Sequence, residues 1–457
     1  MLLGILRRLG SRGQPGSRVR WALALAAALF TGLLTFRSTY SASDGAAAAA
    51  DPRLVSQGEY LAHAADCLAC HTVPGEAPYA GGRAMNLPLG VMYTPNITPD
   101  LETGIGRYTL AEFDRAVRGG VSPAHHLFPA MPYPSYAKIS RHDIAALYAY
   151  FLLSVQPVHR ANLKNEIPWY LNVRWAMPIW NWFFVDYKEF KASPDHDAQW
   201  NRGAYLVQGL GHCGACHTPR GLLYDEKALT EQKTAYLSGA SLDNWSALDL
   251  RSDNLVGLGR WSEAQLVDFL QTGHNASGTA FGSMMDAINY STQLLSVEDN
   301  QAIAHYLKSL APAQSNGQQW HYDPAAANAY KVMLNLTPAA SDYLDYCVGC
   351  HGRDGSGKAP FMPALAGNPA VLDANAVSLA NIVLNGSSPL VIGMQPDFYR
   401  MPSFRVLLDD RRVADLLSFI RSSWGNAAPA VSAQMVRDLR LHTDPVQVEQ
   451  LNLLRMR

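Results

Sequence analysis

The sequence predicts a mainly α chain built from three tandem units of one kind. Three observations carry that reading. The run Cys67-Leu68-Ala69-Cys70-His71 returns as Cys213-Gly214-Ala215-Cys216-His217 and again as Cys347-Val348-Gly349-Cys350-His351. The three copies use all six cysteines of a 457-residue chain, a length that itself suggests about three domains. Around each copy the same order of helical patterns recurs at a domain's interval, which is repetition of whole domains.

Taken in order, the elements support one another. Residues 1–50 carry Arg7, Arg8, Arg12, Arg18 and Arg20 ahead of an apolar run at 21–36, with no acidic residue before Asp44. That is the layout of a signal peptide or an N-terminal anchor, and either places the rest of the chain outside the cytoplasm. The units are expected at 51–156, 198–312 and 330–426. Each opens with a short helix, containing Tyr60-Leu61, Tyr205-Leu206 or Tyr343-Leu344, and then presents its cysteine pair. Pro/Gly-rich loops follow, then a middle amphipathic helix at 110–119, 262–273 or 378–386 that ends on glycine. A longer helix closes each unit, at 140–153, 296–310 and 409–424. Ser140 with Asp143, and Ser296 with Asp299, read as N-caps, and Tyr148, Phe151, Tyr306, Phe419 and Trp424 are expected to pack on the first helix of their own unit.

Two linkers join the units. The first, 157–197, is dense in aromatics (Trp169, Tyr170, Trp175, Trp180, Trp182, Phe183, Phe184), which read either as packing between units or as a docking surface for a membrane or partner. The second, 313–329, is polar and reads as a surface crossing. A tail at 427–457 contains a helical stretch at 432–441 and is expected to lie on a partner.

The repeated motif carries the chemistry. C-x-x-C-H is the attachment signature of a c-type haem: two thiols on one helical turn add to the vinyl groups, and the adjacent imidazole meets the iron. A zinc site, a dithiol pair or a disulfide would explain one copy, but three copies with no cysteine left over point to three c-type haems. The attachment residues are therefore Cys67, Cys70, Cys213, Cys216, Cys347 and Cys350, and one axial ligand each comes from His71, His217 and His351. For the other face each unit offers a loop methionine: Met131 before Pro132, Met401 before Pro402, and Met284, with Met285 as its alternative. Met362 and Met394 compete with Met401, and His125-His126 is a rival pair in the first unit. Arg83, Arg107, Arg260 and Arg353 are candidates for facing haem propionates.

Composition removes other classes. Lys and Arg (37) balance Asp and Glu (38), and no basic run or patch stands out, so the sequence does not read as a nucleic-acid binder.

The frame of short helix, haem signature, loops and closing helix resembles the cytochrome c fold, so the expected architecture is three tandem cytochrome c domains. More specific runs carry a closer resemblance. Thr94-Pro95-Asn96-Ile97-Thr98-Pro99-Asp100, Ala130-Met131-Pro132-Tyr133-Pro134-Ser135-Tyr136, residues 145–151, residues 360–367 and Phe419-Ile420-Arg421-Ser422-Ser423-Trp424 are similar to the triple-haem cytochrome c subunit of bacterial membrane-bound dehydrogenases. The resemblance implies a subunit at the periplasmic face of the inner membrane. Such a subunit takes electrons from a flavin, quinone or molybdenum dehydrogenase subunit that oxidises alcohols, aldehydes, gluconate or sugars, and passes them to ubiquinone. It also implies Met131, Met284 and Met401 as axial ligands. The alternative is a self-sufficient multihaem enzyme such as a peroxidase, with His125 or His126 as its acid–base group.

Overall fold

The computed structural model describes residues 51–444 except 243, 314–317, 333–335, 389, 394 and 397–398. The expected leader, the end of the tail and Met394 lie outside the described residues. Among the described residues the chain is mostly helical, and no helix is long and apolar enough to cross a membrane.

The first segment opens with α1 (Pro52–Ala64), whose N-cap Asp51 accepts from the Arg53 amide while Pro52 fills the first turn. Next come α2 (Cys67–His71) and then α3 (Leu110–Gly119), which carries a complete capping box from Thr109 and Glu112 and stops at Gly120 in the left-handed region. The closing helix α4 (Arg141–Leu153) crosses α1. At that crossing Gly58 sits against the Ala146 carbonyl, where a Cβ has no room. The aromatic linker contains α5 (Met177–Phe184).

The second segment repeats the plan with α6 (Ala198–Tyr205), α7 (Gly214–His217), α8 (Glu263–Thr272), α9 (Met284–Tyr290) and α10 (Val297–Ser309). Gly203 meets the Ala302 carbonyl as Gly58 meets that of Ala146. One more residue separates Tyr205 from Cys213 than separates Tyr60 from Cys67. The chain absorbs it by widening Leu206–Leu210 into a π-turn. The third segment contains α11 (Pro338–Tyr346), α12 (Val348–His351), α13 (Val377–Asn385) and α14 (Asp410–Arg421), followed by α15 (Ala433–His442).

Several expectations need correcting. Loops in all three segments carry small antiparallel hairpins, Ala84–Leu87 with Gly90–Tyr93, Ser238–Leu242 with Trp245–Asp249, and Val391–Ile392 with Gln395–Pro396, too short to leave a period-2 signal. The last helix of the third segment ends at Arg421, not Trp424. Trp424 instead turns back with φ 57°, is buried against Tyr343 and donates its indole N–H to the Arg353 carbonyl. Tyr148 packs on Phe113 of α3 and donates to the Tyr108 carbonyl. The tail helix α15 folds back on α13 and α14, burying Val436 and Leu439 within the chain and leaving Leu441 exposed.

The largest correction concerns Asp143 and Asp299. Ser140 and Ser296 cap α4 and α10 as expected, each accepting from the amide of the aspartate one turn on. The two carboxylates do not complete the cap. Asp299 accepts from Tyr60 of the first segment (2.5 Å), and Asp143 accepts from Tyr205 of the second (2.5 Å). Each tyrosine oxygen in turn accepts from the amide of the opposite cap serine, Ser296 or Ser140. The two segments thus grip each other reciprocally, in the manner of a two-fold dimer interface within one chain. They also share one hydrophobic core, whereas the third segment has its own.

Two outcomes follow. Gly203→Ala pushes a methyl group into the Ala302 carbonyl and is expected to lower unfolding stability by about 1–3 kcal/mol in denaturant titration. Ser341→Ala, at the corresponding place in the third segment, should be neutral. Burial alone would raise the Asp299 carboxyl, but hydrogen bonds from Arg202 and Tyr60 outweigh it and hold the group below its ordinary 3.8. Its contribution is therefore present above 3.8 and is lost as pH falls through the depressed value. Acid titration followed by tryptophan fluorescence should show a loosening step in that window, absent from Asp299→Asn, which starts already loosened.

Candidate functional site

Each C-x-x-C-H run is a single short helical turn that ends on its histidine. The three imidazoles share one arrangement. Nδ1 of His71 donates to the Pro95 carbonyl (2.9 Å), that of His217 to Leu248 (2.7 Å) and that of His351 to Pro363 (2.9 Å). A carbonyl only accepts, so the proton is on Nδ1 and the Nε2 lone pair is free to bind a metal. Burial lowers the pKa of all three, which keeps them in the neutral form that ligation requires.

The carbonyls are themselves fixed. Asn96, next to Pro95, is buried, and its amide group donates to Thr103 and to the Val158 carbonyl while accepting from Thr98. The Thr-Pro-Asn-Ile-Thr run is thus a bracket that aims one carbonyl at His71. In the third segment Asn426 holds Gly367 and the Leu365 carbonyl, close behind Pro363. Arg421, fully buried, donates to the Pro429 and Val371 carbonyls, which explains the Phe-Ile-Arg-Ser-Ser-Trp run as a structural lock.

The cysteines are unpaired, and the chemistry of five of them is quiet. Burial pushes the thiols of Cys67, Cys70, Cys213 and Cys347 up to about 12 and that of Cys216 to about 11. A dithiol redox pair needs the opposite shift, toward a thiolate near neutrality. A structural zinc ion needs four donors, and among the described residues no three of His, Cys, Asp and Glu converge. Unpaired thiols beside a poised imidazole do fit covalent attachment of a haem.

In the third segment Cys347, His351 and Met401 line one cleft with Phe281, Val383 and Leu417, enclosing about 780 Å³ of empty space, open mouth included. Its walls are almost wholly apolar, as a porphyrin's faces require. Cys350, by contrast, is exposed. Met131 and Cys67 border one shared core, as do Met284 and Cys213. Met285 is buried in a small cluster with Ala280, Ile288 and Leu390, so of the adjacent pair it is the core filler and Met284 the less enclosed. Met362 is tied into a backbone bridge with Lys358. His125 is exposed in its loop, and the His126 carbonyl accepts from Arg174 (2.6 Å).

Sequence reasoning missed the contacts that cations make at these turns. Arg83 was expected to face a propionate. It donates to the Ala69 carbonyl, between the two cysteines, and pairs with Asp286 at 2.7 Å. Arg220 likewise donates to Ala215, and Lys358 donates to Gly349 at 2.8 Å. Only a cation lying five to fourteen positions beyond the residue it contacts in each motif hinted at this.

Residues 340–424 match the family model for cytochrome c. Over 410 residues the chain is 46% identical to the gluconate 2-dehydrogenase cytochrome c subunit of Pantoea cypripedii, covering 88% of this chain and 93% of that protein. The chain belongs to the family of dehydrogenase cytochrome c subunits. It is 44% identical to the cytochrome c subunit of the quinone alcohol dehydrogenase of Gluconacetobacter polyoxogenes, covering 87% of this chain and 86% of that one. The corresponding subunit from Gluconobacter oxydans is 42% identical, over 88% and 86%. As a member of this family the chain is an electron-transfer subunit and not the catalytic one.

Proposed function

We propose that the chain is a three-haem relay. Its cytochrome c domains span 51–156, 198–312 and 330–426, joined by the linkers at 157–197 and 313–329. Thioether bonds form at Cys67 and Cys70, Cys213 and Cys216, and Cys347 and Cys350, and the axial pairs are His71 with Met131, His217 with Met284, and His351 with Met401. The observation that carries this reading is the threefold Nδ1-to-carbonyl bond, which prepares three Nε2 atoms in the same way. Haem iron, when bound, supplies a one-electron centre. The chain's part is to hold neutral imidazoles, to place an unpaired thiol pair beside each and, at the third site, to wall the group in apolar side chains. A histidine–methionine pair suits a carrier of raised potential.

Electrons enter from a dehydrogenase catalytic subunit and leave to ubiquinone at the periplasmic face of the inner membrane. The N-terminal leader supports export. The aromatic linker supports membrane contact: Trp169 is 87% exposed, Trp175 76% and Trp182 67%, a concentration of amphipathic rings suited to a lipid headgroup region. The chain's relatives serve both gluconate and alcohol oxidation, so the catalytic partner sets the substrate. The self-sufficient peroxidase reading gains nothing from His125 and His126, whose loop is tied at its edge by Arg174.

In rapid mixing, the substrate-reduced catalytic subunit should reduce all haem in the oxidised protein, and a short-chain ubiquinone should reoxidise it. Reduction without reoxidation by quinone contradicts the exit proposed here. Trp169→Ser with Trp175→Ser and Trp182→Ser should weaken sedimentation with phospholipid vesicles at least tenfold while leaving the haem spectrum intact.

A further inference from the structure

The joint between the first two segments holds a charged group that neither segment completes alone. Helix α9, which begins at Met284, packs on α2. Arg83 spans that contact. One end of its guanidinium donates to the Ala69 carbonyl, between Cys67 and Cys70, and the other pairs with Asp286, on the first turn of α9. The buried carboxylate of Asp66, just before Cys67, lies in the same field and has one oxygen without a hydrogen-bond partner.

The other two turns have the cation but not the crossing. Arg220 pairs with Glu226 within its own segment at 3.8 Å, and Lys358 has no carboxylate partner among the described residues. The first turn alone takes its counter-charge from the helix that carries another site's methionine.

We propose that Arg83 and Asp286 are positioning residues for electron passage between the first and second haem sites. Arg83 fixes the Cys67–His71 turn, Asp286 fixes Arg83 from the Met284 helix, and the balance of their charges sets the driving force across the joint. A positive charge beside a haem favours arrival of an electron and a negative charge opposes it. Removing either partner therefore moves a haem potential in opposite directions, whereas loss of a merely structural contact moves it in one. The proposal rests on the three-haem reading.

The test is a spectroelectrochemical titration of the purified holoprotein, with haem counted as the pyridine haemochrome. In Arg83→Gln one midpoint should fall. In Asp286→Asn the same midpoint should rise, in the double variant it should return toward the parent value, and Arg83→Lys should keep it near that value. Shifts of the same sign in both single variants, or no shift in either, overturn the proposal while leaving the haem count at three. A parent protein with fewer than three haems overturns the three-haem reading itself, and the proposal with it.

Discussion

Everything at the candidate sites depends on one hydrogen bond made three times, from a histidine Nδ1 to a backbone carbonyl. As a contribution to folding it is worth only about 1 kcal/mol net. Its larger effect is on ligation, where loss of such an outer partner costs about 10–100-fold in metal affinity. Two of the three acceptors are proline carbonyls, at Pro95 and Pro363, and the third, Leu248, belongs to a hairpin strand. Each acceptor sits in a stiff piece of chain, so the imidazole is aimed by covalent and hydrogen-bonded constraint before any ligand arrives.

The same economy governs how the first two segments meet. Tyr60 and Tyr205 reach across to Asp299 and Asp143, and the carboxylates are received on helices already capped by serine. The third segment has Arg412 at the corresponding turn of its closing helix, paired with Asp342 of its own first helix. Its tyrosine, Tyr343, stays inside and donates to the Gly352 carbonyl. Reversing one charge thus removes the reciprocal grip, and the third core stands apart. Its cleft still takes Phe281 from the second segment, so the site is walled by two segments.

Much of this was legible in the sequence, because the repeat fixes cysteines, histidines and helices by spacing alone. The capping residues Ser140 and Ser296 marked helix starts because their side-chain bonds are local. What escaped depends on contacts distant in sequence. Asp143 reads as half of a cap, but its partner Tyr205 lies in another segment. Trp424 reads as the end of a helix because the left-handed turn starts on the tryptophan itself, one residue before Gly425. Arg83 reads as a propionate candidate, and its contacts escaped because neither the Ala69 carbonyl nor Asp286 is near it in the chain. The membership of Met401 in the cleft was foreseeable from its proline, whereas the apolar wall around it needed the fold.

The central claim is that three histidine–methionine irons sit in one chain. Near-infrared magnetic circular dichroism of the fully oxidised holoprotein, quantified against its haem content, tests it most directly. Three low-spin haems per chain, each with a methionine-to-iron charge-transfer band, is the predicted result. A high-spin haem, a bis-histidine signature at any site, or fewer than three haems would contradict it.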